Sequence, residues 1–152
     1  MDVYQQQQQQ RQQKRTEELI GYRFRSNKHV IEALTLGVPG ANYRLAVVGD
    51  RKMDSAMVDE WYLGDLPRKN WSTMRENLLG NVNLARVTRE TGLAACVMPE
   101  GLPCSNKQAA TLLEAIVGAV YLDSDCDMES VKSVMKTLGI YQVVMLSPPH
   151  PD

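Results

Sequence analysis

The stretch NYRLAVVGDRKMDSAMVDEWYL, residues 42–63, decides how the rest of this chain is read. Leu45, Val48, Met53, Ala56, Met57 and Trp61 recur at spacings near three and four, which gives a long helix one apolar face that must be buried. The pattern predicts a central helix over residues 41–63. Within it, a Gly-Asp step sets the acid Asp50 one helical turn beyond Ala46 and on the same face.

Working outward, the segments on either side also read as helices. TEELIGYRF has a capping Thr and two acids in its first turn, and closes at Gly21 or soon after. HVIEALTL starts behind Ser26 and Asn27 and stops at the breaker cluster GVPGAN. Downstream, LPRKNWSTMRENLLG ends at Gly80, NVNLARVTRETG starts behind Asn81 as its cap, and LAACVMPEGLPC is a loop. SNKQAATLLEAIVGAVYLD is apolar or small on nearly every side, the mark of a helix inside an all-α core. MESVKSVMKTLG follows, capped by Asp127 and ended by Gly139. These readings give an all-α domain over residues 15–139. Residues 1–14, MDVYQQQQQQRQQK, form a low-complexity head too polar to bury much surface, and are expected as a disordered Gln-rich tail or a helix extension. Residues 140–152 are expected as a C-terminal tail with no clear assignment.

The 152-residue length suits one core, and 43% hydrophobic residues with 23% charged exclude a wholly disordered chain. A net charge of −1 carries no general basic footprint for nucleic acid, although residues 1–30 hold six Lys and Arg against three acids. The three cysteines, Cys96, Cys104 and Cys126, lack paired spacing, so neither a disulfide framework nor a zinc site is supported, and an intracellular, reducing compartment is expected. No apolar run approaches a membrane span, so no membrane partner is expected.

Chemistry is expected where acids share a helix face, because residues three or four apart are neighbours and helical proteins build carboxylate metal sites this way. Ala46 and Asp50 share one such face, and Thr111 and Glu114 another, so each pair contributes one acid. Glu114 stands out in the apolar run TLLEAIVGAVYL, where a carboxyl must be paired, protonated or bound to a cation. DSDCDME, residues 123–129, imitates a calcium loop, but Met128 stands where the turn needs Gly and Val134 where the closing Glu belongs. His29 and His150 have no partner pattern, and Trp61 and Trp71 read as packing residues.

Three segments in order resemble the ribonuclease III family, over about Ile20 to Gly139. NYRLAVVGDRKMD is similar to the family signature N-E-R-L-E-F-L-G-D, LLGNVNLARVTRETGL to L-V-x-N-x-x-L-A-x-x-A-x-x-L-G-L, and KQAATLLEAIVGAVYLD to K-x-x-A-D-x-x-E-A-L-I-G-A-x-Y-L-D. The resemblance implies an all-α endoribonuclease domain that pairs as a homodimer through the signature helix, binds double-stranded RNA and holds Mg²⁺ with four carboxylates. Asp50 and Glu114 match two of those acids, while Ala46 and Thr111 stand where the other two belong; Tyr43 replaces the acid before Arg44. With half the ligands gone, the resemblance implies a pseudoenzyme or weak nuclease that binds double-stranded or structured RNA in RNA processing. Arg44, Asn81 and Lys107 are its candidate RNA contacts, and Mg²⁺ or Mn²⁺ its cofactor if active. Two alternatives stand beside it: an active Mg²⁺-dependent endoribonuclease using Asp50 and Glu114, and a structural subunit of a ribonucleoprotein partner such as an organellar ribosome.

Overall fold

In the computed structural model, which describes residues 2–64 and 67–140, the chain runs through α1 (Val3–Ile20), α2 (Lys28–Leu34), α3 (Tyr43–Leu63), α4 (Asn70–Leu79), α5 (Asn81–Glu90), a 3-10 turn (Leu93–Cys96), α6 (Asn106–Asp123) and α7 (Met128–Thr137). Among the described residues there is no strand, only an isolated parallel bridge between Thr35 and Met98. The all-α expectation therefore holds.

The helix that is apolar on nearly every side lies at the centre. α6 buries Leu112, Leu113, Ile116, Val117 and Val120 fully, and α2, α3, α5 and α7 pack around it. Each such side chain taken from water contributes about 1.5–3 kcal/mol, enough to hold the outer helices in place. Its start is fixed by a capping box, in which the Ser105 hydroxyl accepts from the Gln108 backbone N–H while the Gln108 side chain accepts from the Ser105 N–H. α3 makes its most extensive contact with α6. The two cross at glycines: a Cβ on Gly49 would run into the Glu114 carbonyl, and a Cβ on Gly118 into the Leu45 carbonyl. Only hydrogen at both positions allows the backbones this close. The buried Asn42 donates to the Ala33 carbonyl at 3.0 Å and ties the start of α3 to α2.

Several expectations change. The Gln-rich head is helical, not a disordered tail: α1 begins at Val3, capped by Asp2, and runs to Gly21. Its physical support is a buried amide. Gln12 Nε2 donates to the carbonyls of Ala95 and Val97, both at 2.8 Å, while Arg11 pairs with Glu100 at 2.6 Å and Gln8 accepts from the Glu100 N–H at 2.9 Å. The N-cap of α5 is Gly80, not Asn81, which is the first helical residue and exposed. Ile140 is 1% exposed and its N–H bonds to the Met135 carbonyl, so this residue of the expected C-terminal tail belongs to the core. The rest of that segment, 141–152, lies outside the described residues. The Asp123 carboxylate accepts from the Tyr22 hydroxyl and the N–H groups of Arg25 and Ser26, so it braces α6 against the α1–α2 connection. Trp61 and Trp71 lie 5.6 Å apart and join α3 to α4.

Candidate active site

The glycine crossing brings α3 and α6 together at the residues singled out from sequence. Ala46, Asp50, Thr111 and Glu114, with Tyr43, Val47 and Arg51, line one cavity of about 250 Å³. Two helix faces read separately in the sequence thus converge, and of the four matched positions Ala46 offers a methyl group and Thr111 a hydroxyl. A second cavity, of about 490 Å³, shares Tyr43 and Thr111 with the first and is lined further by Asn42, Ser105, Lys107 and Gln108.

Glu114 is half-buried beside Asp50, and its carboxyl is pushed up to about 8. Burial is the largest cause; a hydrogen bond to Asp50 and that group's charge add to it, and Arg75 opposes it. At neutral pH Glu114 therefore holds a proton and shares it with Asp50. Arg75 reaches in from α4, with Nη2 3.8 Å from Asp50 Oδ1 and Nε 2.7 Å from Asp54 Oδ1. The Asp54 bond raises its already high pKa, so its charge is permanent.

Of the candidate RNA contacts, Arg44, Asn81 and Lys107 are all exposed. Lys107 lines the larger cavity, whereas Arg44 and Asn81 line neither of the two. Sequence reasoning missed Arg75 and Asp54. One signal was available: Asp54 lies one turn beyond Asp50, and two acids stacked on a helix face call for a cation from a neighbouring element.

The donor set can be weighed against a divalent metal. Among the described residues no group of three or more His, Cys, Asp or Glu side chains is placed to hold one. Two carboxyls at an open cavity fit a single Mg²⁺ that keeps several waters, the usual arrangement for that ion. They do not fit the pair of ions that clamps both attacking and leaving oxygens.

Comparison with known proteins bears on the family and the fold. A family model described as Ribonuclease III domain matches residues 43–125. Proteins named Ribonuclease 3 from Colwellia psychrerythraea, Vibrio vulnificus and Campylobacter curvus are 33%, 34% and 30% identical over 128, 126 and 123 residues. These alignments cover 74%, 76% and 73% of this chain and 46%, 55% and 55% of those proteins, so the chain spans about half their length. Two solved structures of the nuclease domain of ribonuclease III from Campylobacter jejuni share the fold, with TM-scores of 0.72 and 0.69 at 20% and 21% identity. They cover 87% and 91% of this chain and 98% and 97% of theirs, and the first is described as showing structural flexibility in the region involved in dimer formation.

Proposed function

The chain belongs to the ribonuclease III family, and from that premise we propose that it binds double-stranded or structured RNA in RNA processing, with cleavage lost or strongly reduced. The observation that carries this reading is the cavity on which the signature helix and α6 converge: only Asp50 and Glu114 bring carboxyls to it, and Glu114 is held protonated. Neither the methyl of Ala46 nor the hydroxyl of Thr111 replaces the missing negative charge.

A single Mg²⁺ or Mn²⁺ would be held by Asp50 and Glu114, and when bound would supply a Lewis acid for water and phosphate. To accept it, Glu114 must give up its proton, which sets binding against the desolvation that keeps the proton in place. Asp50 meanwhile is shared with Arg75. The chain's own contribution at neutral pH is therefore an acid pair largely satisfied from within. RNA phosphates would be met by the exposed cations Arg44 and Lys107, with Asn81 as a neutral donor; Lys107 stands on the cavity next to the acids. The outer face of α3 leaves Tyr43, Val47, Val58 and Tyr62 exposed, and we take it as the surface through which two copies pair.

The openness of the cavity to solvent also supports the enzyme reading, in which Asp50 and Glu114 suffice for slow cleavage. One experiment separates the two. Purified protein is incubated with double-stranded and single-stranded RNA with and without Mg²⁺ or Mn²⁺, and RNA retention is measured in parallel. Retention of double-stranded RNA without metal-dependent products is the expected result. Metal-dependent products that disappear in Glu114→Gln would replace the binding reading with the enzyme one.

A further inference from the structure

Asp50 and Asp54 lie one turn apart on α3, and the Arg75 side chain arriving from α4 reaches both, at 3.8 and 2.7 Å. The three side chains are 32%, 30% and 33% exposed, so water screens them only in part. A guanidinium is a planar fork of donors with no acceptor. It can satisfy carboxylates as a cation does, but it cannot ligate a metal or deliver a water. Ser55, beside Asp54 on α3, is exposed, and Arg51 is exposed and lines the acid cavity. Arg75 is the cation that α4 brings to these acids, next to Glu76 on the same helix, whose charge also acts on it.

We infer that Arg75 is the built-in counter-ion of the acid pair, and that its fixed charge holds the site's affinity for a divalent cation below what Asp50 and Glu114 alone would give. The inference rests on the reading of those two residues as the remaining cation ligands. A dication approaching Asp50 must share that carboxylate with Arg75 and meet a like charge at close range. The loss of carboxylates at Ala46 and Thr111 makes this decisive, since a site with four acids would retain negative charge in excess of one arginine. Arg75 acts here through Asp50 and Asp54; it is a positioning residue and not a catalytic one.

The test is Mn²⁺ binding by calorimetry to the full chain, with circular dichroism to establish that each variant is folded. Arg75→Gln removes the charge and should raise Mn²⁺ affinity about tenfold, the low end of what a unit charge a few ångström from a dication is worth at a half-exposed site. Arg75→Lys keeps the charge and should stay within about threefold of the original chain. A merely structural role would weaken both or move neither. Adding Glu114→Gln to Arg75→Gln should abolish the gain. If Arg75→Gln binds no better while Glu114→Gln alone weakens the original chain, the inference fails and the ligand assignment stands. Undetectable binding throughout ends both. Should Arg75→Gln not fold, the unaltered chain still decides: the Arg75 Nε–H resonance should move with added Mg²⁺, and a resonance indifferent to the ion overturns the inference.

Discussion

At the scale of single residues, Glu114 links the position of a carboxyl to a measurable pH dependence. Its folded-state value of about 8 lies above the ordinary glutamate value, so between roughly pH 4.5 and 8 the unfolded chain has lost a proton that the folded chain keeps. Fewer protons in the unfolded state make the slope of stability with pH negative in that window. The contribution is neutral below it, declines as pH rises through it, and levels off above pH 8. Glu114→Gln removes the ionisable group while retaining its shape and most of its hydrogen bonding. The variant should therefore be more stable than the original chain at pH 8, by about 1–2 kcal/mol after allowing for solvent at a half-buried group, and nearly equal to it at pH 4.5. Urea unfolding at the two pH values measures this; a variant equally destabilised at both would mean that the Glu114 side chain is held by contacts indifferent to its charge.

At the scale of elements, the acid pair exists because α3 and α6 touch through glycine. Gly118→Ala would drive a methyl group into the Leu45 carbonyl, and since the opposing atoms are helix backbone, the helices must part. Overpacking of this kind costs about 1–3 kcal/mol, or roughly 3–10 °C in Tm for a chain of this size. The separation should also weaken the Asp50–Glu114 bond and bring the Glu114 carboxyl back toward its ordinary range, visible by side-chain carboxyl NMR. A variant melting with the original chain would show that the helices have room to spare. This packing explains what the sequence revealed and what it withheld. Ala46, Asp50, Thr111 and Glu114 were legible because each pair follows helical spacing and lies in an ordered motif. The closure of α1 at Gly21 and the start of α7 behind Asp127 were legible from capping chemistry. The early start of α1 was hidden, because one buried glutamine, Gln12, bonds to a loop more than eighty residues away and looks like its neighbours in composition. Arg75 was hidden for a related reason: periodicity orders residues along one helix and is silent about which side chain crosses from the next. The cap of α5 was misplaced by one residue because Asn81 has the chemistry of a cap, while the chain turns at Gly80.

At the scale of the whole molecule, the outer face of α3 is the surface we propose for the pairing of two copies. Tyr43 and Val47 stand one turn apart on that face, and Val58 and Tyr62 another turn apart further along, with 52%, 63%, 37% and 77% of their surface exposed; Arg51 and Asp54 lie on the turns between the two pairs. Two exposed apolar pairs on a helix whose other side is committed to the core suit an interaction surface. Two copies pairing through this one face would form a two-fold pair, in which each residue contributes to the interface twice. The same face carries Val47 at the rim of the acid cavity, so pairing would place the two cavities beside a shared seam and extend the surface open to an RNA duplex. We therefore expect sedimentation velocity to show a dimer at high protein concentration. Val58→Glu with Tyr62→Glu sets like charges against each other across the seam and should weaken dimerisation at least about tenfold while leaving the helical signal intact. Both positions lie outside the acid cavity, so the Glu114 pH response should survive in the monomer. A chain that stays monomeric at every concentration would refute the pairing, and a doubly substituted chain that still dimerises would move the interface to another face.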